Sequence, residues 1–369
     1  MKNTFGNNIS LTLFGESHGS EIGAVLDGLA PGIKVDEELI NHQLLLRRPS
    51  GSISTARVES DKFRIVSGVF EGYTTGAPIC IIIPNENTSS KDYSKTKDLA
   101  RPGHADYTAR CKYHGFEDYR GGGHFSGRLT APIVAASAII IGALREKGIY
   151  IGTHIASLHG INDKKFDLNC ITEDINKLCS SEFAVLDKEI EGKMKDEIVK
   201  ARAEGDSLGG VLETAVAGLP AGLGEPWFDS AESMLAHAMF SIPAVKGVEF
   251  GAGFDMASMK GSEANDPFRM DGDKVLTLTN NNGGINGGIT NGMPVTFRVA
   301  VKPTPSIFKE QNTVDMKKAE NATLSLVGRH DPAIVHRARV VVDSMTALVV
   351  ADLLTGRYGT DFLASGDKK

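Results

Sequence analysis

The sequence is poor in several features that would assign it to a class at once. It has 4 cysteines in 369 residues, without CxxC spacing: Cys80, Cys111, Cys170 and Cys179. We therefore expect neither a disulfide scaffold nor a cysteine zinc site, and this usage fits a reducing cytoplasm. The net charge is −6, with 40 Lys+Arg against 46 Asp+Glu, which argues against a nucleic-acid binder that relies on bulk positive charge.

Long apolar runs are missing as well. The most apolar stretch, residues 131–144, is shorter than the ~20 residues that a membrane-spanning helix needs. The first residues carry Lys2 and Glu16 but no apolar segment typical of a signal peptide. Neither a Walker A sequence nor a dinucleotide-binding glycine fingerprint occurs. We therefore expect a cytoplasmic protein that neither enters a membrane nor binds nucleic acid.

Glycine is abundant, with 41 of 369 residues, or about 11% of the chain against a usual ~7%. This content indicates many turns or close approaches of the backbone to a ligand.

Strands and helices interleave without a strict βαβ order or a low-complexity linker, so we predict one α+β domain over residues 1–369. Residues 158–186 have the weakest pattern and are predicted to form a surface excursion. The predicted strands are 9–14, 22–27, 79–83 and 294–302, and the predicted helices begin after Asp36 and Asp229 or cover 129–147, 187–204 and 333–357.

Ionisable residues concentrate in three glycine-containing segments, Gly15–Gly19, Arg101–Arg128 and Gly328–Pro332. Planar guanidinium groups bind phosphate or carboxylate with two hydrogen bonds, whereas arginines in ordinary surface ion pairs contribute little. The concentration of arginines near glycine or proline favours an anion site over surface pairs. These arginines are Arg47, Arg48, Arg101, Arg120, Arg128 and Arg329.

The first segment, Gly15-Glu16-Ser17-His18-Gly19, matches the G-x-S-x-G pattern of serine hydrolases. That chemistry needs most of a sheet before the serine, and only one short strand can precede Ser17. A simple turn that requires two glycines is the better alternative, although it does not explain His18. Five histidines lie in the three segments, without metal-ligand spacing. We interpret His114 as a structural or surface residue, and the other four are better candidates for an acid or base: His18, His104, His124 and His330.

Taken in order, these segments resemble the chorismate synthase family, and the similarity extends through nearly the whole chain. The motifs that carry it are Phe14–Gly19, Arg47-Arg48-Pro49, Ser67–Gly72, Arg101–Thr108, Asp118–Gly123, Gly205-Asp206-Ser207, Pro220–Pro226, Ala244–Glu249 and Gly328–Pro332.

The resemblance implies a lyase of the shikimate pathway, which leads to the aromatic amino acids. The reaction is the 1,4-anti elimination of phosphate from 5-enolpyruvylshikimate 3-phosphate to give chorismate, and it requires reduced FMN without net oxidation. The resemblance also implies a β-α-β sandwich, with a helical layer between two antiparallel sheets, and a homotetramer.

The family pattern also implies roles for individual residues. His18 would protonate the departing phosphate, His104 would hold or protonate the reduced flavin, and Asp331 would help to deprotonate flavin N5. Ser126 would hydrogen-bond to the substrate. The substrate phosphate and carboxylates would be held by Arg47, Arg48, Arg101, Arg128 and Arg329. The flavin would be held by His124, Phe125, Ser126, Pro243, Ala244, Gly287, Lys302, Pro303, Thr304, Pro305, Ser306 and Arg329.

Four positions depart from the family pattern. His124-Phe125-Ser126 stands where Arg-Ser-Ser is common, Leu129 where Glu is common, Pro243 where Asn is frequent, and Ile53 in a stretch that often carries another arginine. They leave open a non-catalytic flavin- or phosphate-binding homologue. Some family members reduce their own flavin with NADPH, but this chain lacks a dinucleotide fingerprint, so we expect an external reductant.

Overall fold

A computed structural model describes residues 2–49, 51, 53–55, 60–86, 97–326 and 331–366. The strands in this part of the chain are β1 (Thr4–Phe5), β2 (Ser10–Gly15), β3 (Glu21–Asp27), β4 (Arg64–Ser67), β5 (Val69–Phe70), β6 (Tyr73–Thr74), β7 (Ile79–Pro84), β8 (Tyr150–Leu158), β9 (Ile161–Asn162), β10 (Gly210–Ala217), β11 (Val245–Phe250), β12 (Phe268–Asp271), β13 (Lys274–Thr277), β14 (Ile285–Asn286), β15 (Ile289–Thr290), β16 (Val295–Val301), β17 (Gln311–Asp315) and β18 (Glu320–Leu324). The helices are α1 (Glu37–Arg47), α2 (Asp106–Tyr113), α3 (Thr130–Glu146), α4 (Ile171–Cys179), α5 (Lys188–Ala203), α6 (Ala231–Ser241), α7 (Gly261–Ala264) and α8 (Val335–Tyr358).

Two five-stranded antiparallel sheets form the outer layers. The first has the strand order β1-β2-β3-β7-β4 and the second has the order β11-β16-β10-β8-β9. Residues alternate between the two faces of a strand, and β7 shows this directly, because Ile79, Ile81 and Ile83 are buried while the residues between them are half-buried. Each sheet therefore has a face that packs against the interior of the protein.

Helices α1, α3, α6 and α8 form the layer between the sheets. Helix α3 contacts β2, β3 and β7 of the first sheet as well as α1 and α8, and α8 contacts β8 and β10 of the second sheet. One hydrophobic core cluster contains residues from both sheets and from these helices. The helical layer between two antiparallel sheets, which the resemblance implies, is thus confirmed. By length and composition, the stretch Gly127–Glu146 could cross a membrane, but 89% of its apolar window is buried inside the fold, which is typical of a core helix.

Helix α1 begins directly after its predicted capping residue. Asp36 Oδ1 accepts hydrogen bonds from the amides of Glu38 and Leu39, both at 3.0 Å, and this satisfies two donors that the first turn of a helix leaves without partners. The predicted cap at Asp229 is wrong by one residue, because the Ser230 hydroxyl oxygen accepts from the Ser233 amide at 3.1 Å.

The prediction of a surface excursion at 158–186 is wrong. This segment contains α4, which packs on the outer face of the second sheet and buries Ile171 and Ile175 against Ala215 and Ala217. A Cβ built on Gly152 would lie 3.0 Å from Ile175 Cγ2, so small residues in β8 and β10 make room for the helix. The second sheet is therefore covered by helices on both faces at β8 and β10.

Candidate active site

Three consecutive glycines bring the two predicted catalytic histidines together. Gly121, Gly122 and Gly123 have φ values of 58°, 83° and 52°, in the left-handed region that side chains disfavour. A Cβ built on Gly121 would lie 2.1 Å from His18 Cε1, and one on Gly122 would lie 3.3 Å from His104 Cε1. The backbone of this segment therefore passes against both imidazole rings, and a side chain at Gly121 would displace His18.

Ser17 contacts the same segment but lacks the geometry of a hydrolase nucleophile. Its Oγ lies 3.2 Å from His18 Nδ1 and donates to the carbonyl oxygen of Gly121 at 3.0 Å. The residue is 1% exposed and lies in the connection between the antiparallel strands β2 and β3. A nucleophile elbow instead joins a strand to a helix and exposes the hydroxyl, so the structure does not support the hydrolase hypothesis.

His104 belongs to a charged group at the start of α2. Asp106 accepts hydrogen bonds from Arg101 Nη2 at 2.7 Å and from His104 Nδ1 at 2.9 Å. Burial opposes ionisation of Asp106, but the hydrogen bonds from Arg101 and His104 outweigh it and hold the pKa of this carboxyl well below its usual range. The ionised Asp106 therefore orients the imidazole through Nδ1, and Nε2 is the ring nitrogen left for a ligand.

Three of the predicted substrate-binding arginines surround one buried carboxylate, Asp61. Asp61 Oδ2 accepts from Arg47 Nη2 at 2.7 Å and lies 3.6 Å from Arg48 Nε. Its other oxygen accepts from Arg128 Nη1. Exposure decreases from 26% of the Arg48 side chain to 6% for Arg128 and 4% for Arg47. Arg48 is thus the most accessible guanidinium of the cluster.

Asp331 lies beside this cluster, and donors contact both of its carboxylate oxygens. The Thr55 amide donates to Oδ1 at 2.8 Å, and Arg337 Nη1 donates to Oδ2 at 2.5 Å. Arg337 Nε also donates to the carbonyl oxygen of Arg47 at 2.8 Å, so one side chain joins Asp331 to the end of α1. Arg329, the residue predicted beside Asp331, lies outside the described residues, as does His330.

The loop after β16 packs against the loop that carries His104. Lys302 Nζ donates to the carbonyl oxygen of Gly103, and the Lys302 amide donates to the Ala244 carbonyl at 2.9 Å. On the other side, Ser207 Oγ donates to the Thr304 carbonyl at 2.7 Å. Among the described residues, the buried Thr304 hydroxyl has no hydrogen-bond partner, and a ligand hydroxyl or phosphate oxygen could supply one.

The remaining predicted flavin contacts are less closely grouped. His124 Nδ1 lies 2.8 Å from the Gly15 carbonyl oxygen, and Phe125 is 37% exposed with its ring edge-on to Tyr113. Ser126 Oγ accepts from the Arg128 amide at 3.3 Å and so caps the turn that presents Arg128. Pro243 and Gly287 are exposed, with Gly287 at the tip of the β14–β15 hairpin; the contacts described above do not join them to the cluster.

Three residues of the site were not predicted from the sequence: Asp61, Arg337 and Asn85. Asn85 donates to the carbonyl oxygens of Glu16 and Gly19, both at 3.0 Å, and accepts from Arg128 Nε at 3.1 Å. Its position next to Pro84, which ends the predicted strand at 79–83, is a local signal that could have found it. By contrast, Ile53, which departs from the family pattern, is 7% exposed and belongs to the hydrophobic core.

Fold and site together define an α+β enzyme for an anionic small molecule, with histidines, arginines and carboxylates collected at glycine-containing loops of a layered sandwich. Among the described residues, no group of three or more His, Cys, Asp or Glu side chains could hold a metal ion.

The comparisons with known proteins agree with this class. The chorismate synthase family profile matches residues 9–355. Chorismate synthase from Pyrococcus abyssi is 48% identical over 95% of this chain and 97% of that protein, and the one from Dehalococcoides mccartyi strain BAV1 is 47% identical over 96% of each. A crystal structure of chorismate synthase, 31% identical, superposes with a TM-score of 0.74 over 97% of this chain and 95% of that one. The chain belongs to the chorismate synthase family, whose members are phosphate-eliminating lyases.

Proposed function

We propose that this chain forms chorismate from 5-enolpyruvylshikimate 3-phosphate by 1,4-anti elimination of phosphate. The observation that carries the proposal is the shared glycine segment, in which Gly121 packs against His18 and Gly122 packs against His104. The arginine cluster around Asp61 is connected to the same place, because Asn85 bridges Arg128 and the loop of His18. A proton donor and cations for an anion are thus held by neighbouring elements.

In this reaction, the chain has to neutralise charge as the phosphate leaves. His18 donates a proton to the departing phosphate oxygen while the carbon–oxygen bond breaks. The guanidinium groups of Arg48, Arg101 and Arg128, together with Arg47 and Arg329, hold the phosphate and the carboxylates, and the Ser126 hydroxyl donates to the substrate. Their positive charge accounts for anion binding by a chain of net negative charge.

The residues present fit a flavin mononucleotide. Lys302 supplies a cation, Thr304 a buried hydroxyl without a partner in the described part of the chain, and Phe125 a half-exposed ring beside the glycine segment; this donor set suits a planar, phosphorylated ligand. Pro303, Pro305 and Ser306 complete the loop on which it would rest, and Ala244 lies beside this loop, where its carbonyl oxygen accepts from the Lys302 amide. When bound, reduced FMN supplies electron density and takes up the substrate hydrogen, and it is returned unchanged.

Two side chains of the site are proposed to handle protons. His104, oriented by ionised Asp106, holds or donates a proton at Nε2. Asp331, with the Thr55 amide at Oδ1 and Arg337 at Oδ2, accepts a proton at its carboxylate.

The wider setting is also part of the proposal: a cytoplasmic homotetramer that takes reduced FMN from an external reductant. The sparse cysteines, without the spacing of a disulfide scaffold, support the compartment. A tetramer is tested by the mass of the purified full chain in solution, and the external reductant by adding NADPH and oxidised FMN without another protein. Turnover under those conditions would show that the chain reduces its own flavin.

An anaerobic assay with 5-enolpyruvylshikimate 3-phosphate tests the proposed function. We expect chorismate and inorganic phosphate in equal amounts with reduced FMN, and neither product with oxidised FMN alone. A chain that binds FMN but forms no product under either condition would be a non-catalytic homologue. The four departures from the family pattern motivate that alternative, although Ile53, as a core residue, does not support it.

A further inference from the structure

Asp61 is a buried charge that the proposed reaction does not use. Its side chain has no exposed surface, and its two oxygens contact different elements: Oδ2 accepts from Arg47 at the end of α1, and Oδ1 accepts from Arg128 before α3. These arginines lie 14 and 67 residues away in the sequence. One carboxylate thus joins two guanidinium groups from distant segments.

We propose that Asp61 is a positioning residue that fixes Arg47 and Arg128 relative to each other so that both can hold one substrate anion. The inference rests on the proposed function. Two guanidinium groups this close to one carboxylate repel each other in a poorly hydrated site. Because they share Asp61, their separation and direction are set before the substrate arrives, and the substrate does not have to order two long side chains.

The backbone at Asp61 supports a fixed position. Its φ is +46°, a left-handed conformation that Asp and Asn adopt more readily than most residues. The preceding Ser60 is held on both sides, since Arg48 Nη2 donates to its carbonyl oxygen and its hydroxyl donates to Glu86 at 2.6 Å. Unfavourable conformations persist where surrounding contacts determine them fully, and this is the arrangement here.

Asp61 stays ionised throughout the range in which the reaction would be measured. Burial opposes ionisation, but Arg47 and Arg128 outweigh it and hold the pKa of Asp61 at about 2. Asp61 should therefore add no step to the pH profile of kcat/KM near neutrality, and its effect should appear in substrate binding.

The first test replaces Asp61 by Asn, which keeps the size and tolerates the left-handed backbone but removes the charge. We expect Asp61→Asn to raise KM for the substrate roughly tenfold or more, with a smaller change in kcat. KM should also depend more steeply on ionic strength, because the cluster has lost its negative charge. Glu21→Gln, which removes the carboxylate of an exposed pair with Arg64, is the control and should change neither quantity.

A merely structural role would give a different result: a lower unfolding temperature, with KM of the folded protein unchanged. A folded Asp61→Asn protein whose KM stays within about twofold of the wild type would overturn the inference. Because the same assay includes the wild type, its turnover tests the proposed function separately. A wild-type chain without turnover would contradict both.

A second test does not require the Asp61 variant to fold. The effects of Arg47→Lys and Arg128→Lys on kcat/KM should be strongly non-additive, because both arginines act through Asp61. Arg101→Lys and Arg128→Lys form the matched control pair, since Arg101 is also proposed to bind the substrate but pairs with Asp106. The effects of these two substitutions on the logarithm of kcat/KM should add. Equal additivity in both pairs, within about twofold, would contradict a role for Asp61 in positioning.

Discussion

Two groups of buried charges in this protein resemble each other chemically but differ in their surroundings. In one, Asp61 lies between Arg47 and Arg128. In the other, His154 lies between Asp163 and Glu213, with its two ring nitrogens 2.9 Å from a carboxylate oxygen on either side. The second group is confined to β8, β10 and the segment that follows β9, under α4, whereas the first gathers segments from distant parts of the chain beside the glycine loops.

This difference shows that buried charge alone does not mark a functional site. The His154 group has its hydrogen bonds satisfied locally, and Asp163 also accepts from the amides of Leu186 and Asp187 at 2.6 and 2.9 Å. The His154 group thus attaches the segment before α5 to the second sheet. The Asp61 group instead includes Arg48, whose side chain is 26% exposed, and Asn85 links its Arg128 to the loop of His18, so its Arg48 edge is open to a ligand. We therefore expect the His154 group to serve stability and propose that the Asp61 group serves substrate binding.

The largest expected effect is at the site. His18→Ala should lower kcat by a factor of about 10² to 10⁴, since it removes the proposed proton donor to phosphate. The unfolding temperature should change little, because the imidazole packs beside glycine and not in the hydrophobic core. Rates of anaerobic chorismate formation and thermal unfolding are measured on the same preparation, and a variant with the full rate would contradict the assignment of His18.

A substitution in the other group should have the opposite profile. Glu213→Gln should lower the free energy of unfolding by about 1–3 kcal/mol, because a buried charge-assisted hydrogen bond to His154 is lost. The kcat and KM of the folded protein should match the wild type. Denaturant unfolding together with kinetics checks this, and a selective loss of kcat would mean that the second group also serves the reaction.

Sequence patterns predicted this fold where a local rule decides the structure. Asp36 precedes α1 because its carboxylate caps the first turn. The helix predicted over 187–204 is present as Lys188–Ala203, and Asp187 is its cap. The sandwich came from the family resemblance, since strand order depends on contacts between distant segments. Residues 158–186 were mispredicted because the burial of α4 depends on small residues in β8 and β10.

The site was partly predictable for the same reason. His18 and His104 stand out because glycines surround them. Asp61 does not, since it lies between Ser60 and Lys62 like a solvent-exposed residue, and its partners are distant in sequence. Arg337 follows the predicted helix start and looks like a surface charge, yet it holds Asp331.

Ser17→Ala should have a moderate effect that sharpens the boundary of the site. The hydroxyl contacts His18 Nδ1 and the glycine segment, so its loss should slow turnover roughly tenfold while activity persists. Steady-state rates under anaerobic conditions measure this. A complete loss together with a covalent serine adduct would instead revive nucleophilic chemistry at Ser17.

The smallest expected effect is the pH dependence of stability from His154. Burial opposes its protonation, but Asp163 and Glu213 outweigh it and raise the pKa of His154 above its ordinary value of 6.5. Its stabilising contribution is therefore fully present below about pH 6.5 and is lost as the pH rises through the raised value. Glu213→Gln should shift that loss to lower pH in unfolding measurements, and identical profiles for variant and wild type would contradict a charged His154.

The site around His18, His104 and the arginine cluster should eliminate phosphate without net oxidation. The most direct measurement counts products against flavin in an anaerobic cuvette that contains the full chain, a small amount of reduced FMN and excess 5-enolpyruvylshikimate 3-phosphate. We predict many equivalents of chorismate and phosphate for each FMN, and an absorbance spectrum at the end that is still that of reduced flavin. Oxidation of one flavin for each phosphate released, or no release at all, would show that this site does not catalyse the proposed elimination.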